Sequence, residues 1–210
     1  MIIQCEQGSE EWKSLRLKKI SATDASVIMK LNPWVSPEML MARKKGIIED
    51  EPLNDAMRRG NELEPVARDI YEKLSGVKMI PTVRIGLERL VTLNINTGDT
   101  AYKSEHLWAM CSTDGESQTP LKDGNHFCIE IKSGKKAYSY ALENHIPDYY
   151  LAQIQHILWL TDCTFCHYCA FDGESDLKII KVFPNREFIE NMIEKEYEFY
   201  KKMMDESYVP

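Results

Sequence analysis

The stretch from Ser112 to Lys132 gives the clearest indication of fold and chemistry. It opens on Ser112-Thr113-Asp114-Gly115 and closes on Phe127-Cys128-Ile129-Glu130-Ile131-Lys132. The second part alternates as a strand does, with Glu130 and Lys132 on the same face. A short apolar run up to Ser112 predicts a preceding strand, and Asp123-Gly124 predicts a tight turn between the two. We therefore expect a hairpin, with Asp114 where its first strand ends.

Such a hairpin would bring Asp114, Glu130 and Lys132 together. Carboxylate oxygens are hard ligands that suit Mg²⁺ or Mn²⁺. A metal held there can activate a water and bind a phosphodiester oxygen, while the lysine stabilises developing negative charge. The alternative is a simple turn beside a solvated strand face. The apolar neighbours of Glu130 predict a strand buried on both sides, where an acid and a lysine need a partner or a function.

Two helical segments offer further candidates. Glu64 neighbours the apolar stripe of a helix predicted over 55–75, and can therefore face a cleft, although a lone helix glutamate is more often solvated. In a helix predicted over 149–160, Tyr150 and Gln153 share one face. A glutamine at the edge of a buried face can position a water or a phosphate, and the alternative is a surface amide.

Length and composition predict a single domain over residues 1–210. The chain is 43% hydrophobic and 28% charged, which excludes disorder for most of it. No apolar run approaches the ~20 residues of a membrane span, so no membrane association is expected. The N-terminal segment lacks the pattern of a signal peptide, which favours a cytoplasmic protein with reduced cysteines.

The formal net charge of −7 argues against a protein that coats nucleic acid through bulk charge. It leaves open an enzyme that binds nucleic acid locally. Candidate basic contacts are Lys18-Lys19, Arg43-Lys44-Lys45, Arg58-Arg59 and Lys135-Lys136. The cluster at Arg43 to Lys45 is better explained as a solvated face.

The order of elements predicts an α/β or α+β fold with a mixed central β-sheet flanked by helices. Helices are expected over 8–17, 22–30, 55–75 and 149–160, and a last one runs from a cap at Asn185 to about 206. Strands are expected over 107–112, 126–132, 163–171 and 177–183.

Cys163, Cys166 and Cys169 form a CxxCxxC run, and Cys5 is a distant fourth cysteine. An iron–sulfur cluster needs four converging thiolates. On the predicted strand, Cys163 and Cys166 point to opposite faces and cannot share a metal. Buried cysteines acting as small apolar residues are therefore the expected arrangement, with a cluster-bearing module as the minority hypothesis.

Six motifs occur in the order typical of one family. They are Gln7 to Trp12 with Leu15-Arg16-Leu17, Ile20 to Thr23, Arg59-Gly60 to Glu64, Cys111 to Gly115, Glu130-Ile131-Lys132, and Tyr150 to Gln155. Together they resemble the lambda exonuclease and YqaJ-type viral recombinase family of the PD-(D/E)xK nucleases. The chain departs from the family in Thr113, where proline is frequent, and in a longer segment from Gly76 to Tyr102.

The resemblance implies a restriction-endonuclease-like core and a Mg²⁺-dependent 5′→3′ exonuclease that acts on linear double-stranded DNA. The product is a 3′ single-stranded overhang, used in recombination with a single-strand annealing protein. The lambda-type member is a ring-shaped homotrimer. Two alternatives stay open, a structure-specific endonuclease of the same fold and a catalytically silent module that binds DNA ends.

The resemblance also assigns roles. The metal ligands are Asp114, Glu130 and the carbonyl of Ile131, and the other catalytic residues are Glu64, Lys132 and Gln153. Arg16, Ser21, Ser112 and Tyr150 belong to the region that holds the 5′-terminal phosphate. Physical reasoning supports part of this, because a helix start at Ser21 offers backbone amides to an anion and Arg16 can bind the same phosphate with two donors.

Overall fold

A computed structural model gives the fold of the chain. It describes residues 1–49, 52, 54–86, 88–92, 101–121, 124 and 126–210, with the backbone alone for 88–92 and 101–105. Asp123 of the predicted Asp123-Gly124 turn and part of the long segment from Gly76 to Tyr102 therefore lie outside the described residues.

Sixteen elements are present within those ranges. The helices are α1 (Glu10–Lys18), α2 (Ala22–Ile28), α3 (Pro37–Lys44), α4 (Asp55–Ser75), α5 (Lys135–Leu142), α6 (Asp148–Thr161) and α7 (Arg186–Met204). The strands are β1 (Ile2–Ile3), β2 (Ile20–Ser21), β3 (Met79–Ile85), β4 (Glu88–Thr92), β5 (Ala101–Glu105), β6 (Ala109–Ser117), β7 (Phe127–Ser133), β8 (Phe165–Phe171) and β9 (Lys178–Val182).

The main sheet has the order β1-β3-β6-β7-β8-β9, and β2 pairs with β6 beside this path. The β7–β8 and β2–β6 pairs are parallel, and the others are antiparallel. β4 and β5 form a separate two-stranded ribbon. The predicted mixed sheet with flanking helices is therefore confirmed.

Helices cover both faces of the sheet because alternate strand residues point to opposite sides. On one face, Tyr71 of α4 packs with Ile129 and Phe165. On the other face, Ile154 of α6 packs with Cys128. Helices α2, α3 and α7 add a third apolar cluster beside α6. The polar residues of β7 are thus set between two apolar layers.

A buried histidine joins α6 to its neighbours. His156 Nε2 lies 3.0 Å from the carbonyl oxygen of Met110 in β6, and Nδ1 lies 2.9 Å from Oε1 of Glu196 in α7. A carbonyl only accepts, so Nε2 is the donor. Burial raises the pKa of Glu196, against the opposing effect of His156.

The helix boundaries at 55–75 and near 185 agree with the sequence predictions. Gly76 ends α4 in the left-handed conformation, with φ of 69°. Asn185 caps α7 by accepting the backbone N–H of Phe188. The sequence did not predict strands β1 to β5 or helices α3 and α5.

The predicted strand end at Asp114 is wrong. β6 continues to Ser117, so Asp114 lies within the strand. The reason is packing: a Cβ atom at Gly115 would lie 2.8 Å from the Cβ of Met79 and 3.2 Å from Ile129. Glycine lets β3 and β7 approach β6 closely, which is a strand role for this residue.

The predicted opposite placement of Cys163 and Cys166 is also wrong. β8 begins at Phe165, so Cys163 precedes the strand and packs in the same cluster as Cys128 and Cys166. Cys169 lies in the cluster on the other face of the sheet. All six cysteines are free thiols. The CxxCxxC run is therefore divided between two apolar layers.

A buried ion pair fixes the N-terminal helices. Lys44 Nζ lies 2.6 Å from Asp24 Oδ2, and both side chains are under 10% exposed. Lys44 also donates to the carbonyls of Arg16 and Lys19. The expected solvated face at Arg43 to Lys45 is therefore wrong for Lys44. None of the helices described has the length and apolar character of a membrane span.

Asp24→Asn should destabilise the protein by about 3 kcal/mol at pH 7, because it leaves the charge of Lys44 buried without its partner. Burial alone would raise the pKa of Asp24, but the charges of Lys44 and Arg16 and the hydrogen bonds from Lys44 and Ser21 lower it. The stabilisation is thus present above the unfolded-state pKa near ~4 and is lost as pH falls through the folded-state pKa.

Urea unfolding at several pH values measures this difference. Glu10→Gln is the control, since the Glu10–Lys13 pair is exposed and contributes little. Equal stability of wild type and Asp24→Asn at pH 7 would contradict the assignment.

Candidate active site

The site lies where β6 and β7 separate. The described pairing of these strands covers Glu116 with Cys128 and Gly115 with Ile129. Beyond it, β6 pairs with β2, at Ala109 and Met110. Asp114 lies at the point of divergence, and its Oδ2 accepts the backbone N–H of Ile131 at 2.6 Å. The Asp114 side chain thus replaces the missing backbone hydrogen bond between β6 and β7. The separation of the two strands leaves a gap in the sheet that polar groups line.

Glu130 is held by two partners within this gap. Its Oε1 accepts from Lys132 Nζ and from Gln153 Nε2, both at 2.6 Å. Lys132 Nζ also donates to Gln153 Oε1 at 3.0 Å. The Glu130 side chain is 3% exposed. Its second oxygen, Oε2, is buried and has no hydrogen-bond partner among the described residues. A buried carboxylate oxygen left in this way favours a cation or water in the cleft.

The electrostatics of the site indicate a deficit of positive charge. Burial, followed by the charges of Glu130 and Glu64, raises the pKa of Asp114 well above its ordinary value. Burial also raises the pKa of Glu130, against the opposing effect of Lys132. For Lys132, burial disfavours the charge, but the two carboxylates outweigh it and raise the pKa. Lys132 is therefore charged, and one lysine leaves the acidic groups incompletely compensated.

A cleft of about 710 Å³ joins these residues to the helices around them. Of the residues proposed from sequence, it is lined by Arg16, Glu64, Ser112, Asp114, Glu130, Ile131, Lys132, Tyr150 and Gln153. Glu64 enters from α4, where Arg68 Nη2 donates to its Oε1 at 2.5 Å. Residues spread over more than 130 positions of the chain therefore share one cavity.

One corner of the cleft has the features of an anion site. Arg16 lies with its guanidinium carbon 4.6 Å from the ring centre of Trp12, and its Nη2 donates to Thr23 Oγ1 at 2.8 Å. The indole N–H of Trp12 donates to Ser112 Oγ at 2.8 Å. That hydroxyl keeps its own proton for a further acceptor. Trp12 thus organises Arg16 and Ser112 together.

Ser21 is the one proposed residue that the structure does not bring to the cleft. It is 1% exposed, and both its backbone N–H and its hydroxyl donate to Asp24 Oδ2. Thr23, two residues later, lines the cleft instead. Thr23 and Trp12 lie within the sequence motifs, but neither was predicted as a site residue. The spacing of a capping box, with an acid three residues after Ser21, was the available signal that this hydroxyl is occupied.

The residues present fit a divalent metal ion. Within the described ranges, no group of three or more His, Cys, Asp or Glu side chains forms a metal cluster. Two carboxylates and a backbone carbonyl suit Mg²⁺, which usually keeps several waters and takes only one or two carboxylates from the protein. The unpartnered Glu130 Oε2 and the raised pKa of Asp114 are the observations that favour such an ion.

Comparison with known proteins gives the family. The model of the YqaJ-like viral recombinase domain matches residues 11–164, which include every residue of the site described above. The chain belongs to this family. YqaJ of Bacillus subtilis (strain 168) is 24% identical over 198 residues, covering 93% of this chain and 56% of that protein. This YqaJ-family chain therefore spans little more than half the length of that relative.

Solved structures share the fold of this YqaJ-family chain. An alkaline exonuclease from Laribacter hongkongensis has a TM-score of 0.69 and 21% identity, over 93% of this chain and 92% of that one. Its complex with dAMP has a TM-score of 0.70 and 22% identity, with the same coverage of the two chains. A phage-related exonuclease from Haemophilus somnus 129PT has a TM-score of 0.56 and 13% identity, over 89% of this chain and 95% of that one. The fold predicted from sequence is that of these exonucleases.

Asp114→Asn should stabilise the metal-free protein at pH 8 by on the order of 1 kcal/mol. The raised folded-state pKa of Asp114 means that stability is complete below the unfolded-state pKa and is lost as pH rises through the folded-state value. Asparagine does not ionise, and its oxygen still accepts the Ile131 N–H. Thermal unfolding in EDTA measures the effect.

Added Mg²⁺ should reverse the order, raising the Tm of wild type and leaving that of Asp114→Asn unchanged. Asp69→Asn, at an exposed position of the same helix as Glu64, is the control and should follow wild type. A wild type that equals or exceeds Asp114→Asn in EDTA at pH 8 would contradict the electrostatic argument.

Proposed function

We propose that this chain is a metal-dependent exodeoxyribonuclease that digests one strand of linear double-stranded DNA in the 5′→3′ direction. The observation that carries the proposal is the convergence of Asp114, Glu130 and Lys132 where β6 and β7 separate, beside a basic corner formed by Arg16. Membership of the YqaJ-like family and the fold shared with two exonucleases support it.

Asp114, Glu130 and the carbonyl of Ile131 would hold the ion, with Mg²⁺ preferred and Mn²⁺ as a substitute. When bound, such an ion lowers the pKa of a water and neutralises charge on a phosphodiester oxygen. Lys132 is charged and hydrogen-bonded to Glu130, so it is positioned to stabilise the negative charge that develops on the phosphate. Gln153 fixes both of these side chains, and Glu64 supplies a further acceptor at the cleft wall.

The anion corner would hold the 5′-terminal phosphate. Arg16 offers donors for a charge-assisted hydrogen bond, and Ser112 offers a hydroxyl proton. In this group we assign the role predicted for Ser21 to Thr23, because Thr23 lines the cleft and contacts Arg16. Tyr150 borders the same cavity near Lys132, whose Nζ lies 5.0 Å from the ring centre. A phosphate held here sets which bond reaches the carboxylates.

A 3′ overhang would be the product, and a single-strand annealing protein would be a partner that uses it. Only the family resemblance supports a ring-shaped trimer and this partner, and both stay predictions. The assignment of residues 1–210 to a single domain also stays a prediction.

Wild type with Mg²⁺ should shorten linear duplex DNA and leave covalently closed circles intact. Lys132→Ala should lower the rate by about 10²–10³-fold, the effect typical of removing one group that stabilises transition-state charge. Lys201→Ala, an exposed lysine paired with Glu198 on α7, is the matched control. Timed digestion followed on gels measures this. Cleavage of the circle would indicate an endonuclease, and inert wild type that still binds DNA would indicate a silent end-binding module.

Wild type should prefer a 5′-phosphorylated end over a 5′-hydroxyl end. Arg16→Ala should reduce that preference at least about tenfold, since a hydrogen bond to a charged group contributes roughly 1.5–3 kcal/mol. Thr23→Val should reduce it in the same direction, and Ser21→Ala should not. The ratio of initial rates on the two ends is the measurement. A loss of preference in Ser21→Ala with Thr23→Val unchanged would restore the original assignment of Ser21.

A further inference from the structure

Trp34 is exposed at a turn that is held in place. The residue is 61% exposed, although tryptophan carries a large apolar surface. The turn is fixed by Asn32, whose Oδ1 accepts the backbone N–H groups of Trp34 at 2.9 Å and Val35 at 3.0 Å. The backbone N–H of Asn32 in turn donates to the carbonyl of Ser26 in α2. The ring is therefore presented to solvent on an ordered backbone, as a binding group would be.

A series of aromatic rings connects Trp34 to the cleft. The ring centres of Trp34 and Tyr149 lie 5.0 Å apart, and those of Tyr149 and Tyr150 lie 4.4 Å apart. Lys132 Nζ lies 5.0 Å from the ring of Tyr150. Both aromatic contacts are edge to face. The exposed tryptophan is therefore continuous with the catalytic lysine rather than an isolated surface residue.

Positive charge accompanies these rings. Lys136 Nζ lies 5.8 Å from the ring centre of Trp34, and Lys135 and Lys136 are both exposed at the start of α5. Asp148 and Glu38 are the acids nearest in sequence to Tyr149 and Trp34. A flat apolar face beside lysines, next to a cleft for a phosphodiester, matches a nucleotide: the base stacks on the ring and the phosphate meets the cation.

We propose that Trp34, supported edge-on by Tyr149, is a stacking platform for an unpaired base of the DNA. The terminal phosphate of the same DNA end occupies the cleft. This inference rests on the proposed function. A base inside a duplex has both faces covered by its neighbours, and the terminal pair of a blunt end offers only its outer face, so an unpaired base is the one free to turn a face to Trp34. The platform thus favours ends that are frayed or carry a short 5′ extension.

A fluorescent base tests the platform directly. The probe is a duplex with a two-nucleotide 5′ extension carrying 2-aminopurine, bound in Ca²⁺ to limit hydrolysis, since stacking quenches this base. Trp34→Ala should abolish the additional quenching and weaken binding at least about fivefold. Trp34→Phe should retain both, because it keeps an aromatic face. Phe183→Ala is the matched control, an exposed aromatic outside the cleft with Lys181 Nζ 5.3 Å from its ring centre.

The outcomes separate this inference from the function on which it rests. Wild type that digests a blunt duplex, with Trp34→Ala equal to it in quenching and affinity, would overturn the platform and leave the exonuclease intact. Wild type that neither binds nor digests DNA would overturn both. A loss of quenching in Phe183→Ala equal to that in Trp34→Ala would also overturn the platform, because the effect would then not be specific to this position.

Discussion

The separation of β6 from β7 at Asp114 is the constraint on which the rest of the site depends. Two adjacent strands stop pairing in the middle of a buried sheet, and the Ile131 N–H would lose its partner without the Asp114 carboxylate. The same divergence makes room for Lys132 and Gln153 around Glu130. The Asp114 side chain therefore has two roles. It accepts a buried backbone hydrogen bond, and it brings a carboxylate oxygen close to those of Glu130.

Charge is distributed to match this arrangement. The chain is acidic overall, and the acids that matter most are buried at the point of divergence, with one lysine as partner. The basic corner depends on a second buried pair, since Lys44 reaches the carbonyl of Arg16 while bound to Asp24. Asp24 in turn holds Ser21. The local field at the cleft is thus set by a few fixed groups rather than by net charge.

The sequence predicted the elements with strong periodicity and clear caps, such as α4 with Gly76 and α7 with Asn185. It also grouped Asp114, Glu130 and Lys132, because their spacing on a strand restricts where they point. It failed where long-range packing decides. Gly115 resembles a turn residue, yet close contact with Met79 keeps it within a strand. Cys163 fits the alternation of β8, yet the strand begins after it. Thr23 was missed because the family resemblance assigned the phosphate to Ser21, whose hydroxyl is already bound to Asp24 within the capping box.

The parts of the cleft are far apart in the chain, which has a consequence for synthesis. Arg16 comes from α1, Glu64 from α4 and Gln153 from α6, while β1 pairs with β3 across about eighty residues. Contacts of such separation form late, after local helices. A chain still on the ribosome therefore has no complete cleft until α6 has emerged, and folding itself delays the moment at which the proposed activity can begin.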